Sequence, residues 1–265
     1  MIHLNWARLA IAAASIAAAG LSQATVVDLT GSNDSGTIAG AQFVFTDQQP
    51  TGTGVIDPFL RLQATPNEEG YNTSLATPAA PFDDKAGVWT HDVRYSDLQQ
   101  STVSIGGTQY FKLLLDINEP AGSKSLISLD SLQIYTSATA APLVTDVSNL
   151  NSLGTLRYNI DAGGDSYVLL DAARNHGSGS GDMYAYIPVS NFAGTLADDY
   201  VYLYSRFGDQ QTADATSEGG FEEWAIVRNV TPVPEMSALF PIVGLLVAIA
   251  STNILRRRKM AKVLG

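Results

Sequence analysis

The chain has 265 residues, no cysteine, and 26 acidic against 15 basic side chains, a formal net charge of −11 at pH 7. Without cysteine there is no disulfide, no thiol nucleophile and no thiolate metal site. The acidic excess repels phosphate backbones and argues against nucleic acid as a partner.

The opening stretch, MIHLNWARLAIAAASIAAAGLSQA, places Arg8 ahead of an apolar run from Leu9 to Ala19 and closes on Ser22, Gln23 and Ala24. A basic start, a short hydrophobic run and small closing residues predict a secretory signal peptide over residues 1–24, cut after Ala24. The run is too short and too rich in alanine to span ~30 Å of hydrocarbon. Arg8 leaves with the leader, and five further basic residues lie beyond Glu235. The exported part therefore keeps nine basic residues against all 26 acidic ones, a net of −17. Such a body suits solubility, divalent cations or a cationic neighbour.

From Thr25 onward, short strands alternate with turn-rich spacers. TVVDLT, AQFVFTD and GVWTHDVRY come first, with a strand near Phe59 and Leu60 inside the Pro- and Gly-rich stretch 48–84. YSDLQQS fits a single turn or short helix. QYFKLLLDI alternates Phe111, Leu113, Leu115 and Ile117 on one face. SLISLDSLQIY puts Ile127 and Leu129 on one face, and Leu132 and Ile134 continue it after a parity slip at Asp130 and Ser131, which predicts a bulge. TLRYNI, SYVLLD, DMYAYIPV, YVYLYSRF and FEEWAIV follow, separated by Gly, Asn, Asp and Ser. About ten such strands predict an all-β fold, a jelly-roll-like β-sandwich over residues 25–229.

Three groups of side chains stand out in that body. Carboxylates cluster at Asp116 with Glu119, at Asp161 with Asp165, and at Asp171 with Asp182. Hard oxygen ligands at strand ends suit calcium, so Asp116, Glu119, Asp161, Asp165 and Asp182 are its candidate ligands. The same residues also serve turns, where Asp is favoured in any case. In YVYLYSRF, Tyr200, Tyr202 and Tyr204 share one face, and Tyr184 and Tyr186 repeat the alternation. An outward strip of this kind could stack on sugar rings; a strand covered on both faces is the alternative. The histidines offer little. His91 sits in a predicted strand, and His176 precedes GSGSG, whose central glycine fails the pattern of a nucleophile elbow. Glu222 and Glu223 are adjacent in a strand and point to opposite faces, so they cannot flank one glycosidic bond. No catalytic residue is assigned.

The C-terminal segment is the most specific. Residues 230–235 form a short extended linker, and Met236 to Leu255 is a stretch of 20 residues without charge. As a helix rising ~1.5 Å per residue, that stretch just crosses a bilayer. Arg256, Arg257, Arg258 and Lys259 follow in a basic tail, residues 256–265, which the positive-inside rule keeps in the cytoplasm.

Val233-Pro234-Glu235, the apolar helix and the arginine cluster, in that order, resemble the PEP-CTERM sorting signal, with Met236 where the family's name puts a second proline. The resemblance covers about the last thirty residues. It implies recognition by an exosortase-type processing enzyme, removal of the helix, and a setting of exopolysaccharide production. Several body segments, FKLLLDINEP and FEEWAIV among them, also resemble ectodomains that carry this signal, without an assigned activity. The expectation is an exported cell-surface protein, structural or adhesive in a polysaccharide-rich envelope and held at least transiently in the inner membrane. A carbohydrate-binding module and a glycan hydrolase or lyase are its rivals.

Overall fold

The computed structural model describes residues 23–31, 35–48, 56–75, 82–85, 87–122, 124–175, 181–210 and 214–229. Most of the leader, His176, the sorting motif Val233-Pro234-Glu235, the apolar segment 236–255 and the basic cluster Arg256, Arg257, Arg258 and Lys259 lie outside the described residues. Among the described residues no helix is long and apolar enough to cross a membrane.

The described residues build two seven-stranded sheets that share one core. The first contains β1 (Val26–Asp28), β5 (Glu68–Tyr71), β6 (Val93–Arg94), β9 (Leu126–Ser137), β10 (Thr155–Asn159), β11 (Tyr167–Asp171) and β13 (Tyr200–Phe207). The second contains β2 (Ser35–Ile38), β3 (Ala41–Gln48), β4 (Ile56–Leu62), β7 (Thr102–Ile105), β8 (Thr108–Ile117), β12 (Gly181–Pro188) and β14 (Glu222–Val227). Each sheet is organised on a long antiparallel pair, β9 with β13 and β8 with β12. Shorter strands share the flanks of these pairs: β10 and β11 both lie along β9, and β7 and β14 along β8. Only β1 with β11 is a parallel pairing among the described strands. From β8 onward the chain crosses repeatedly between sheets, as an all-β sandwich requires.

Period-two alternation sends the expected side chains inward. Phe111, Leu113, Leu115 and Ile117 from the second sheet meet Ile127, Leu129, Leu132 and Ile134 from the first. Burying each fully contributes about 1.5–3 kcal/mol. The expected bulge is present: Phe207 pairs with Leu129 and Arg206 with Ser131, which leaves Asp130 as the extra residue. That residue restores the parity of Leu132 and Ile134. Two buried hydrogen bonds tie the layers together across the core. Trp224 Nε1 donates to Ser205 Oγ at 3.0 Å, and the Tyr158 hydroxyl donates to the Ile38 carbonyl at 3.0 Å.

GVWTHDVRY departs from expectation, since only Val93 and Arg94 pair as a strand. His91 donates its backbone N–H to the Phe59 carbonyl in the second sheet at 3.1 Å, while its own carbonyl accepts from Asn72 Nδ2 at 3.2 Å. The segment therefore bridges the two layers before joining the first sheet at Val93 and Arg94. The short helix α1, Tyr95–Gln99, begins directly afterwards, with Asp97 accepting the Arg94 N–H at 3.2 Å.

Asn72 closes the gap where β5 leaves β13 and β6 takes its place. Its side chain is sealed from solvent, donates to the Val201 carbonyl at 3.0 Å and accepts the Leu203 N–H at 2.6 Å. An amide side chain here replaces a missing strand. Asn72→Ala leaves two buried backbone groups and the half-buried His91 carbonyl without this partner and is expected to cost about 3 kcal/mol in denaturant unfolding. A loss below about 1 kcal/mol would show that water substitutes for the amide.

Candidate functional site

The tyrosine strip does not face outward. Tyr202 and Tyr204 are each 1 % exposed, and Tyr200 is half-buried. The segment after β9, through Ala141, Val144, Leu150 and Leu153, packs over them together with Tyr71 and Phe82. Hydroxyls fix this cover in place: Tyr202 accepts the Ala141 N–H at 2.9 Å and Tyr71 the Val144 N–H at 2.9 Å. Tyr204 donates to Glu69. Tyr200 stacks on Tyr202 at 6.1 Å between ring centroids, and the Arg94 guanidinium lies 3.5 Å above the Tyr200 ring. The expectation of a sugar-stacking strip at Tyr200, Tyr202 and Tyr204 is corrected: the strand is covered on both faces. An aromatic ring does reach solvent at Trp89, 42 % exposed, with Arg61 stacked at 4.3 Å between it and Phe221.

The five candidate calcium ligands fall in three separate places. Asp116 and Asp182 lie near each other where β8 and β12 pair, and Asp171 adds a third charge. Asp182 is 1 % exposed; Oδ2 accepts the Ile117 N–H at 2.8 Å, and Oδ1 has no hydrogen-bond partner. Burial, reinforced by the charges of Asp116 and Asp171, pushes its carboxyl up to about 8. Asp161 and Asp165 instead line an open cavity of about 390 Å3 beside the bulge, with Asp130, Tyr204, Arg206 and Asp209. Asp130 is pushed up to about 6, chiefly by burial. Its Oδ2 accepts from Ser128 Oγ at 2.8 Å and from the Asp209 N–H at 2.8 Å. Glu119 belongs to neither place. Among the described residues no group of three or more His, Asp or Glu side chains is arranged to hold a metal ion.

Glu119 meets two carboxyls that sequence reading did not bring together with it. Glu68, on β5 of the first sheet, is 1 % exposed, and Glu222, at the start of β14 in the second, is fully buried. Glu222 makes side-chain contact at hydrogen-bonding distance with both Glu68 and Glu119. Glu68 Oε2 accepts the Ala64 N–H at 2.9 Å. Glu119 uses both oxygens, accepting Ser217 Oγ at 3.2 Å and the Glu218 N–H at 3.0 Å. No donor reaches Glu222, and Glu68 Oε1 and both Glu222 oxygens are left unpartnered. Close approach of the chain at Gly220 makes the convergence possible, because a Cβ there would stand 2.1 Å from the Asn118 carbonyl oxygen. Burial raises all three carboxyls: Glu68 to about 7, Glu119 above its ordinary value and Glu222 well above it. A signal for Glu222 was present in FEEWAIV, which places it on the same face as Trp224 and Ile226, both core residues.

Glu223 points the other way, to an ion pair with Arg61 at 2.6 Å, so the two adjacent glutamates do lie on opposite faces. His91 is half-buried in its connection. Compared with known family models, with curated proteins and with solved structures, the chain matches none.

The state of Asp182 sets a pH dependence. Its folded value of about 8 lies above the ordinary 3.8. Its contribution to stability is therefore fully present below about pH 4 and is lost as pH rises through about 8. Asp182→Asn keeps the acceptor for Ile117 and removes the titration. The stability of this variant relative to the unchanged chain is expected to rise steadily from about pH 4 to pH 8 in urea unfolding. A difference that stays constant over that range would mean that Asp182 is already ionised in the folded protein.

Proposed function

We propose that the chain is an exported envelope protein: a β-sandwich body displayed outside the cell, delivered by its leader and sorted by its C-terminal segment. Its role is structural or adhesive within a polysaccharide-rich matrix. The observation that carries this reading is that Thr25 and Asn229, just inside the two expected cut sites, are both hydrogen-bonded into the body. Thr25 N–H donates to Ser166 Oγ at 3.0 Å, and the Thr25 carbonyl accepts the Tyr167 N–H at 3.2 Å. At the other end Asn229 N–H donates to the Gln100 carbonyl at 2.8 Å, and Asn229 Nδ2 donates to the Thr102 carbonyl. A cut after Ala24 leaves the first of these bonds at the new N-terminus. A cut in the Val233-Pro234-Glu235 region falls beyond the last of them. Cuts at these two places therefore keep the hydrogen bonds of both Thr25 and Asn229.

Charge supports the same orientation. The exported part carries −17, whereas Arg256, Arg257, Arg258 and Lys259 lie together beyond the uncharged segment 236–255. Placing the cations inside and the acidic body outside satisfies the positive-inside rule. An exosortase-type enzyme is the partner this arrangement calls for at residues 233–235.

The full chain, expressed with its own leader in a host carrying such an enzyme, is expected to yield a mature species starting at Thr25 and ending near Glu235. In a host without the enzyme it is expected to remain in the membrane fraction, with the body open to added protease. Intact mass and fractionation read both outcomes. A soluble cytosolic chain that still begins at Met1 would defeat the proposal. A species that keeps its C-terminal segment in the presence of the enzyme would defeat the processing step alone.

A further inference from the structure

We propose that Glu68, Glu119 and Glu222 form a shared-proton junction between the two sheets, in which Glu222 stays neutral, Glu119 carries the charge, and Glu68 gains or loses the proton that tightens or loosens this end of the sandwich.

Three carboxylates sealed together cannot all be ionised, since each charge lacks both water and a counterion. The neighbouring cations are engaged elsewhere: Lys124 with Glu218 at 2.5 Å, Arg61 with Glu223 at 2.6 Å and Arg206 with Asp209 at 3.1 Å. The other charges facing the group are acidic, Asp83 toward Glu68 and Glu218 toward Glu119. Hydrogen bonding assigns the roles. Glu119 receives a donor on each oxygen, which suits the ionised form. Glu222 receives none and touches both other carboxyls, so it must be the donor. Glu68 holds one backbone donor and one orphaned oxygen, which a proton satisfies.

Glu68 is also the member placed to exchange with solvent. A cavity of about 60 Å3, lined by Asn67, Glu68, Glu69, Asp83 and Arg206, adjoins it. That volume holds about two waters. On ionisation the Glu68 proton passes through this cavity to solvent base. A second negative charge then remains in the junction, beside Glu119 and Asp83. Because Glu68 belongs to β5 of the first sheet and Glu222 to β14 of the second, the resulting repulsion acts between the layers.

Burial raises Glu68 from 4.5 to about 7, so the stabilisation is complete below the unfolded value and is lost as pH rises through about 7. The test is thermal unfolding of the full chain in mild detergent between about pH 5 and pH 9. It compares the unchanged protein with Glu68→Gln, Glu222→Gln and, as a control at a separate carboxyl, Asp182→Asn. The unchanged chain is expected to melt lower as pH rises. Glu68→Gln is expected to remove about a third of that fall, most of it below about pH 7, and its effect should add to that of Asp182→Asn. A fall of undiminished size in Glu68→Gln overturns the proposal. So does millimolar calcium that abolishes the fall in the unchanged protein but has no effect in Glu68→Gln, which would identify a cation site instead. If a variant does not fold, carbon NMR of the glutamate carboxyls in the unchanged protein decides. One carboxyl still protonated at neutral pH supports the junction, and all glutamates ionised by about pH 6 refutes it.

Discussion

Polar groups that cross the core hold this sandwich in register. With no cysteine available, apolar packing alone would let the sheets slide, because dispersion and burial are not directional. The Trp224–Ser205 and Tyr158–Ile38 hydrogen bonds supply direction. Each joins a side chain on one layer to a group on the other, and each would leave a buried polar atom unpaired if the layers shifted. Asn72 adds a third constraint, fixing the handover from β5 to β6 along β13 and tying His91 to the same point. These satisfied polar contacts give direction to a core whose main cluster is aliphatic and aromatic.

Regular alternation was readable in advance because it is local. QYFKLLLDI declares its inner face, and the slip at Asp130 in SLISLDSLQIY marks the bulge, since a lost parity in a two-sided strand has few other remedies. The tyrosine face was not readable in the same way. Whether Tyr202 and Tyr204 meet water depends on the segment 138–153, and ATAAPLVTDVSNLNSL has no strand period to announce it. Ala141 and Val144 reach the rings along irregular backbone and Leu150 and Leu153 from a short 3-10 helix, Val147–Leu153, while two of the tyrosine hydroxyls accept N–H groups from that segment. Its docking is a tertiary event without a local signature. Strand β5, EEGY, likewise lacks β-branched residues and takes its pairing from β13.

The acidic composition divides into groups that behave differently. Asp161 and Asp165 stand at an open cavity, where partial burial raises Asp161. Glu223 is compensated by Arg61. Asp182 and the Glu68–Glu119–Glu222 trio are sealed, as is Asp84. Sequence reading singled out Glu119 and Asp182 for their oxygen chemistry, but it could not see that Glu119 would face Glu68 from the opposite sheet. The register of FEEWAIV did hold one clue, a carboxylate in phase with Trp224 and Ile226. A charge on a core face is costly enough that its retention calls for a partner.

These buried carboxyls bear on the proposed life of the protein outside the cell. A chain exported through a membrane leaves a buffered interior for a space whose pH the cell does not control. With raised folded values for Glu68 and Asp182, the body is bound to protons that the unfolded chain would release, so acidity favours the folded form. That is the reverse of the usual acid denaturation, in which paired carboxylates lose their partners as they protonate. A surface of net negative charge also repels itself less strongly as pH falls. The proposed junction and the acidic exterior therefore push in the same direction, toward a sandwich more stable at low pH than at high pH.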